Sequence, residues 1–518
     1  MAIHFSVRSG FYADSVLLMA VARELRRLEG VHDAALVMGT EANKELLGQM
    51  TELNEAAQSA QPVDLIVMID APEAMLPLAI EKMDSLLSAK PSGGNDPQAP
   101  TPRSLRSARR MQPDTQLAVI SVPGEYAAAE AWKALYSGLH VFLFSDNVPL
   151  QDERALKTYA AQNGLFVMGP GAGTAFLSGT GLGFANVVPR GKVGIVSASG
   201  TGLQEVSTLL AKQGTGISQA IGVGGRDLSD EIDGIMTVQA VEFLQQERDT
   251  DVIVAISKLP SRRIASAVIE QLAAGRKPAV VIFMSRELST APEGVYVTST
   301  LHEAAVIAHA LATGGDVGQA RQQYTQQLAA LALSAAEWRA NLPEQRLYLR
   351  GLFGGGTLCE EAIGIWSGCV GDVWSNAPLN PAYQLKDSQH SQAHSAIDLG
   401  DEEFTVGRPH PMIDNELRIQ RLLKEAADPL VAAIQMDVVI GYGAHPDPAD
   451  DLAPAIARAA EHLPVIVSIT GTDDDRQNLA RQRTLFEAAG AVVLESNALA
   501  SQFAAHLAGG QRDTARLS

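Results

Sequence analysis

Short runs of β-branched and other apolar residues alternate with Ala- and Leu-rich amphipathic stretches along most of the 518-residue chain. Runs at 63–69, 117–121, 193–197, 251–256, 278–283, 437–440 and 464–469 predict strands. Their apolar character is continuous rather than alternating, the pattern of parallel strands covered on both faces. Intervening segments such as 21–29 and 202–212 have helical spacing. The pattern predicts an α/β protein built on doubly wound parallel sheets.

Two stretches break the rhythm. Residues 90–113 hold Pro91, Pro97, Pro100, Pro102 and Pro113 together with Arg103, Arg106, Arg109 and Arg110, which predicts a mobile surface insertion. Residues 376–411 are polar and loop-like and carry His390, His394 and His410. The Ser and Gln residues around these histidines do not favour an ordered ligand helix, so no metal is expected.

An internal repeat organises the second half of the chain. The run from Lys277 (KPAVVIF), Gly294-Val-Tyr-Val and an Ala-rich stretch to Ala310 is matched later. There Leu463 opens LPVIVSI, followed by Gly490-Ala-Val-Val-Leu and an Ala-rich stretch to Leu507. Upstream, the strand beginning at Asp251 corresponds to the one beginning at Asp437, and a glycine-containing turn opens a helix in each half. Two copies of one α/β domain, at about 190–330 and 346–510, explain the pattern economically.

Composition narrows the partners. With 40 Lys+Arg against 59 Asp+Glu the formal charge is −19, which repels nucleic-acid phosphates and acidic lipid surfaces. Only two cysteines are present, too few for a disulfide framework or a thiolate zinc site. The N-terminus lacks the basic stretch and apolar core of a secretory signal, and no window reaches the ~20 apolar residues of a spanning helix. The expectation is a cytoplasmic protein with a small-molecule substrate and neither nucleic acid nor membrane as partner.

The two glycine turns carry the candidate chemistry. Glycine lets a ligand approach the backbone, and the first helical turn presents unpaired N–H groups at the positive end of the helix dipole. Ser199, Gly200 and Thr201 in one turn, and Gly355, Gly356 and Thr357 in the other, therefore read as a pair of phosphate-binding helix starts. Neither turn is a P-loop, because the Lys-Ser/Thr that must follow the second glycine is missing. Arg226 and Lys258 are candidates to neutralise the anion.

These residues resemble a known family. GKVGIVSASGT at 191–201, followed by IGVGGRD at 221–227, resembles the α subunit of succinyl-CoA synthetase. VPGEY at 122–126, NVP at 147–149 and MGP at 168–170 resemble the second half of that family's CoA-binding domain. GLFGGGT at 351–357 and the sequence after it resemble the C-terminal domain of the β subunit. The fused layout, with YADS at 12–15, VMGTE at 37–41 and GRPHPMID at 407–414, resembles the FdrA family of predicted acyl-CoA synthetases. The resemblance implies a Rossmann-like, CoA-binding-like domain at 1–188 and two flavodoxin-like domains at 190–330 and 346–510.

It also implies a function. FdrA-like proteins accompany two other proteins in anaerobic allantoin breakdown, assigned together as an oxamate carbamoyltransferase that converts oxalurate and phosphate to oxamate and carbamoyl phosphate. Phosphate or carbamoyl phosphate would then be the ligand, CoA a further candidate, and two other subunits the partners, with self-association compatible. His410 and Asp414, from GRPHPMID, are the candidate acid–base residues. The chain departs from succinyl-CoA synthetase in lacking a histidine between Phe283 and the last strand of the second domain, and in lacking an ATP-grasp domain. The alternatives are a CoA ligase or CoA-dependent transferase that borrows its ATP-grasp function, and a non-catalytic scaffold subunit.

Overall fold

A computed structural model describes residues 3–11, 13, 15–40, 43–44, 47–48, 51–88, 102–284, 291–405 and 409–509. Tyr12, Asp14, Gly407 and Arg408 of the family-like motifs, and residues 90–101 of the expected insertion, lie outside the described residues. The chain divides into two compact units, residues 1–101 with 402–409, and residues 102–401 with 410–518.

In the first unit, β1 (Ile3–Arg8), β2 (Asp33–Met38) and β3 (Leu65–Asp70) form one sheet in the order β1-β3-β2. Both pairings are antiparallel, where the sequence pattern predicted parallel strands. The reason is visible in the central strand. Leu65, Val67 and Ile69 of β3 pack in a cluster with Leu25 of α1 (Ser15–Arg26), while Ile66 and Met68 pack in another with Ala57 of α2 (Glu55–Ser59). Being covered on both faces makes a strand continuously apolar whichever way its neighbours run. Helix α3 (Leu76–Ser88) closes the unit and buries Met83.

The second unit opens with α4 (Leu105–Met111), so 105–111 of the expected insertion are helical. Ser104 supplies the reason: it forms a capping box with Ser107 that satisfies the first-turn donors. Next comes a parallel sheet of β4 (Leu117–Ile120), β5 (His140–Leu143) and β6 (Val167–Met168), with α5 (Gly124–Tyr136) and α6 (Leu150–Gln162) between them.

Two larger sheets follow. The first has seven strands in the order β13-β12-β11-β9-β10-β7-β8. They are β7 (Thr174–Leu177), β8 (Thr180–Gly183), β9 (Arg190–Ser197), β10 (Ile217–Gly222), β11 (Val252–Ser257), β12 (Ala279–Phe283) and β13 (Val295–Val297). Helices α7 (Gly200–Lys212), α8 (Ile235–Gln246) and α9 (Arg262–Ala274) connect β9 to β12, and α10 (Leu301–Thr313) and α11 (Val317–Ala340) follow β13. The second has six strands in the order β15-β16-β14-β17-β18-β19. They are β14 (Tyr348–Phe353), β15 (Val373–Trp374), β16 (His394–Asp398), β17 (Val431–Val439), β18 (Val465–Thr470) and β19 (Val492–Leu494). Its helices are α12 (Gly356–Val370), α13 (Glu416–Ala426), α14 (Pro448–Ala460), α15 (Leu479–Ala488) and α16 (Asn497–Ala508).

The sequence repeat has a structural counterpart, since β13-β12-β11-β9-β10 and β19-β18-β17-β14-β16 share one strand order. Both sets run parallel, and each sheet has a first helix leaving its first strand. One apolar cluster joins the two modules, running from Leu203 and Val206 of α7 and Leu301 of α10 to Leu358 and Trp366 of α12 and Phe503 of α16. None of the described helices is long and apolar enough to cross a membrane.

Candidate functional site

The two glycine turns meet at the centre of this helix layer. Ser199 is the N-cap of α7 in extended conformation, and its hydroxyl accepts from Gly202 N at 2.8 Å. A Cβ on Gly202 would stand 2.7 Å from that hydroxyl, so the cap requires glycine there. Gly355 is the N-cap of α12 and has no side chain to cap with. The carboxylate of Asp437 on β17 does the work instead, accepting from Gly354 N at 2.7 Å and Gly355 N at 2.9 Å.

The tips touch. Ser199 Oγ and Thr357 Oγ1 are 2.5 Å apart, and a Cβ on Gly355 would lie 2.9 Å from Thr201 Cγ2. Each module thus presents its cap residue to the other's second helical residue. The same exchange repeats one turn deeper. Glu205 of α7 accepts from Asn497 N, the first residue of α16, at 2.9 Å. Glu361 of α12 accepts from Leu301 N, the first residue of α10, at 2.7 Å. Each carboxylate caps a helix start in the opposite module, where the dipole favours it.

This reciprocity stops at the charged groups. Val196, three residues before its cap, pairs with Ala255, and Leu352, three before its cap, pairs with Met436. Asp437 therefore occupies the position of Ile256, five residues along from the Asp251 that the sequence repeat paired with it. By the same reasoning Ser197 pairs with Gly222 and Phe353 with Asp398, so Asp398 stands where the seven-stranded module has glycine. Both acids are buried and both belong to the six-stranded module.

Their environments differ. Asp437 is neutralised by Arg418 at 3.2 Å, although burial still holds its carboxyl above the usual value. Asp398 accepts from Gly400 N at 2.9 Å through Oδ1, and burial pushes it up to about 7 against the opposing pull of Lys258. Lys258 reaches the same tip: a Cβ on Gly356 would lie 2.5 Å from Asp398 Oδ2 and 2.9 Å from Lys258 Nζ. Burial alone would depress the Lys258 ammonium, but Glu360 at 2.9 Å and Asp398 outweigh it and hold it above the ordinary lysine value. Cys359, beside them, is buried and its thiol is pushed well up, so it stays protonated.

The sequence candidates thus separate. Ser199, Gly200, Thr201, Gly356, Thr357 and Lys258 converge on the tips. Gly355 sits there too, but its N–H is already given to Asp437 and is not available to a ligand. Arg226 is held elsewhere, donating to Val148 O and pairing with Glu153, both at 2.8 Å, on the side of α6. Glu153 in turn joins Lys157 and Asp227 in a buried network under the 223–227 turn, which explains an arginine there without a ligand. His410 lies at the tip's edge, its Nε2 within 2.8 Å of where a Gly400 Cβ would be. Its Nδ1 accepts from Met412 N, and burial with nearby Arg418 pushes it down to about 4, so the ring is neutral. Asp414 is not brought in: its carboxylate accepts from Glu416 N at 2.9 Å and shapes the start of α13. Sequence reasoning missed Asp398, Asp437, Glu205 and Glu361 as members of the constellation.

Of the histidines outside the tips, His390 is exposed and pairs with Asp387 at 2.6 Å, whereas His302 and His394 pack. His302 meets Ser496 Oγ at 2.7 Å and stacks on Tyr324, and His394 accepts from Leu349 N. No group of three or more His, Cys, Asp or Glu able to hold a metal occurs among the described residues. A separate cavity of about 350 Å³ lies between the β7–β8 hairpin and Tyr442, lined by Phe176, Asn186, Arg190 and Ser218. On one side the cavity reaches Asn186, which accepts from Gln204 of α7 at 3.1 Å, and on the other it reaches Arg190 at the start of β9.

Known proteins match along the chain. A CoA-ligase family model matches residues 352–507 and a CoA-binding domain model residues 189–285. A model described as AllF, heavy metal-associated domain, matches residues 1–102. That segment contains no cysteine, so it offers no thiolate to a heavy metal. The α subunit of succinate–CoA ligase [ADP-forming] from Methanothermobacter thermautotrophicus is 30% identical over 188 residues, 35% of this chain and 60% of its own length. The apo dinucleotide-forming acetyl-coenzyme A synthetase 1 of Ca. Korarchaeum cryptofilum is 18% identical and covers 76% of this chain and 82% of its own, at a TM-score of 0.31. The uncharacterized protein YahF of Escherichia coli K12 is 40% identical over 509 residues, 96% of this chain and 97% of its own. The chain belongs to one family with YahF, a succinyl-CoA synthetase-like family that carries CoA-binding and CoA-ligase domains.

Proposed function

We propose that the chain is the phosphate-binding subunit of an oxamate carbamoyltransferase-type enzyme of the FdrA kind, working with two other proteins on oxalurate and phosphate. The observation that carries this reading is the pair of abutting helix starts with Lys258 beside them. Gly200 and Thr201 on α7 and Gly356 and Thr357 on α12 have first-turn N–H groups with no helical acceptor. Lys258 adds a cation that its acidic neighbours Glu360 and Asp398 keep charged against the pull of burial. Such donors suit a phosphate oxygen and, after attack, the oxyanion of a tetrahedral intermediate. Bound hydrogenphosphate would attack the ureido carbonyl of oxalurate, and oxamate would leave through nitrogen. The match of residues 1–102 to a model bearing the AllF name supports the same pathway.

A CoA-ligase reading has its own support in the CoA-ligase match over residues 352–507. Against it, residues 284–294 contain no histidine to relay a phosphoryl group. Asp437 also already fills two amides at one helix start.

The test is turnover by the chain purified with its two partners, read by mass spectrometry. Phosphate-dependent loss of oxalurate and gain of carbamoyl phosphate, without ATP or CoA, is the expected result. An acyl-CoA product that requires ATP and CoA, with no phosphorolysis, would replace this reading with the ligase.

A further inference from the structure

The two buried acids at the tips are not equivalent. Asp437 has both oxygens committed, to the Gly354 and Gly355 amides, and Arg418 beside it. Asp398 is 6% exposed and uses only Oδ1, toward Gly400 N. Its Oδ2 has no hydrogen-bond partner and no ion pair among the described residues, and it faces the Gly356 backbone together with Lys258 Nζ. Asn376 fixes the Asp398 backbone on both sides, donating to its carbonyl at 3.0 Å and accepting from its N–H at 2.9 Å. A rigidly held, unpartnered carboxyl oxygen is therefore aimed at the place where the proposed anion would lie.

We propose that Asp398 is the catalytic proton carrier of this site, and the claim rests on the phosphorolysis reading above. The reaction needs one. Hydrogenphosphate attacks the ureido carbon through oxygen, a C–O bond forms, and the C–N bond to oxamate breaks with its electron pair left on nitrogen. The proton that hydrogenphosphate carried must reach that nitrogen, and net charge does not change. Asp398 takes it through Oδ2 and returns it to the leaving nitrogen. A carboxyl poised near neutrality both accepts and donates efficiently. The groups that set its titration are Lys258 after β11, Asp401 in its own loop and Asp437 on β17. Cys359 and Glu360 of α12 surround Lys258, and neutral His410 lies across Gly400.

The test compares the wild-type complex with Asp398→Asn, which keeps an oxygen for Gly400 N, and with Asp398→Glu. Sulfate serves as a phosphate-like probe that does not titrate from about pH 6 to about pH 9, read by calorimetry. Wild-type sulfate affinity is expected to fall as pH rises through neutrality, with Asp398→Asn showing no such fall. Turnover by Asp398→Asn is expected to drop about 10²-fold or more with a melting temperature no lower than that of wild type, and Asp398→Glu to recover part of it. Asp398→Asn turnover within about threefold of wild type, or identical pH profiles for sulfate, would overturn the assignment. A wild-type complex that performs no phosphorolysis would overturn the reading beneath it, and the proton-carrier role with it, even where the sulfate profiles differ as expected.

Discussion

At the scale of single residues, the two helix starts differ in how much room their glycines have. A Cβ on Gly200 would meet Gly173 Cα at 3.6 Å and Thr174 Oγ1 at 3.7 Å, ordinary contacts. A Cβ on Gly356 would collide with Asp398 and Lys258. Gly200→Ala is therefore expected to melt within a degree or two of wild type, whereas Gly356→Ala loses about 1–3 kcal/mol, as overpacking usually does, in chemical denaturation. Asp398 also gives stability a pH signature. Its folded value near 7 lies above the unfolded value of about 4, so the native state holds the extra proton between them. Its contribution is complete at low pH and is lost as pH rises from about 4 to about 7. Asp398→Asn should therefore gain stability relative to wild type across that window, in urea titrations at several pH values, and a difference that stays flat would refute the burial argument. His410 works oppositely: held down to about 4 in the folded state, it loses stability as pH falls below about 6.5.

At the scale of elements, the reciprocal caps decide how the modules lock. Glu361→Ala would strand the buried Leu301 N and the Asn497 side-chain amide, which donates to Glu361 at 2.8 Å. Glu205→Ala would strand Asn497 N and the Thr470 hydroxyl. Each is expected to cost about 1–3 kcal/mol in denaturant unfolding. Because both reach Asn497, the double variant should depart from the sum, whereas strict additivity would mean that the two caps act independently. Trp366→Ala, in the shared core, should cost about 3–5 kcal/mol. Much of this level was legible in the sequence. Six of the seven strands read from apolar runs begin and end within about three residues of those observed. The seventh, β17, starts at Val431 rather than 437, because Gln435 and Asp437 interrupt the apolar run although both are buried. A Glu five residues after each helix-opening glycine, Gly200 and Gly356, was a written signal for the caps. Spacing alone could not say that each reaches across to the other module.

At the scale of the molecule, a duplicated fold has kept its packing and shed its symmetry at the joined helix starts. The repeat was readable because apolar strands and glycine turns recur. The site was readable only in part, because its two acids lie on two strands far apart in sequence, β16 and β17, that pairing with β14 brings together. Asp398 sits in a polar stretch whose sequence announces a loop, and its importance comes from burial at the end of β16. Conversely, Arg226 follows a glycine turn, as an anion ligand would, and is instead consumed by Glu153. The first unit shows the limit of periodicity: it fixed that β3 is buried on both faces and left the direction of its neighbours open. In the proposed reaction phosphate itself attacks the substrate at the joined helix starts. Incubating the chain and its two partners with oxalurate and ¹⁸O-labelled phosphate tests this most directly, by the mass of the carbamoyl phosphate formed. Retention of every phosphate oxygen, including the one bridging to carbon, is the predicted result. Carbamoyl phosphate without the label, or none at all, would contradict it.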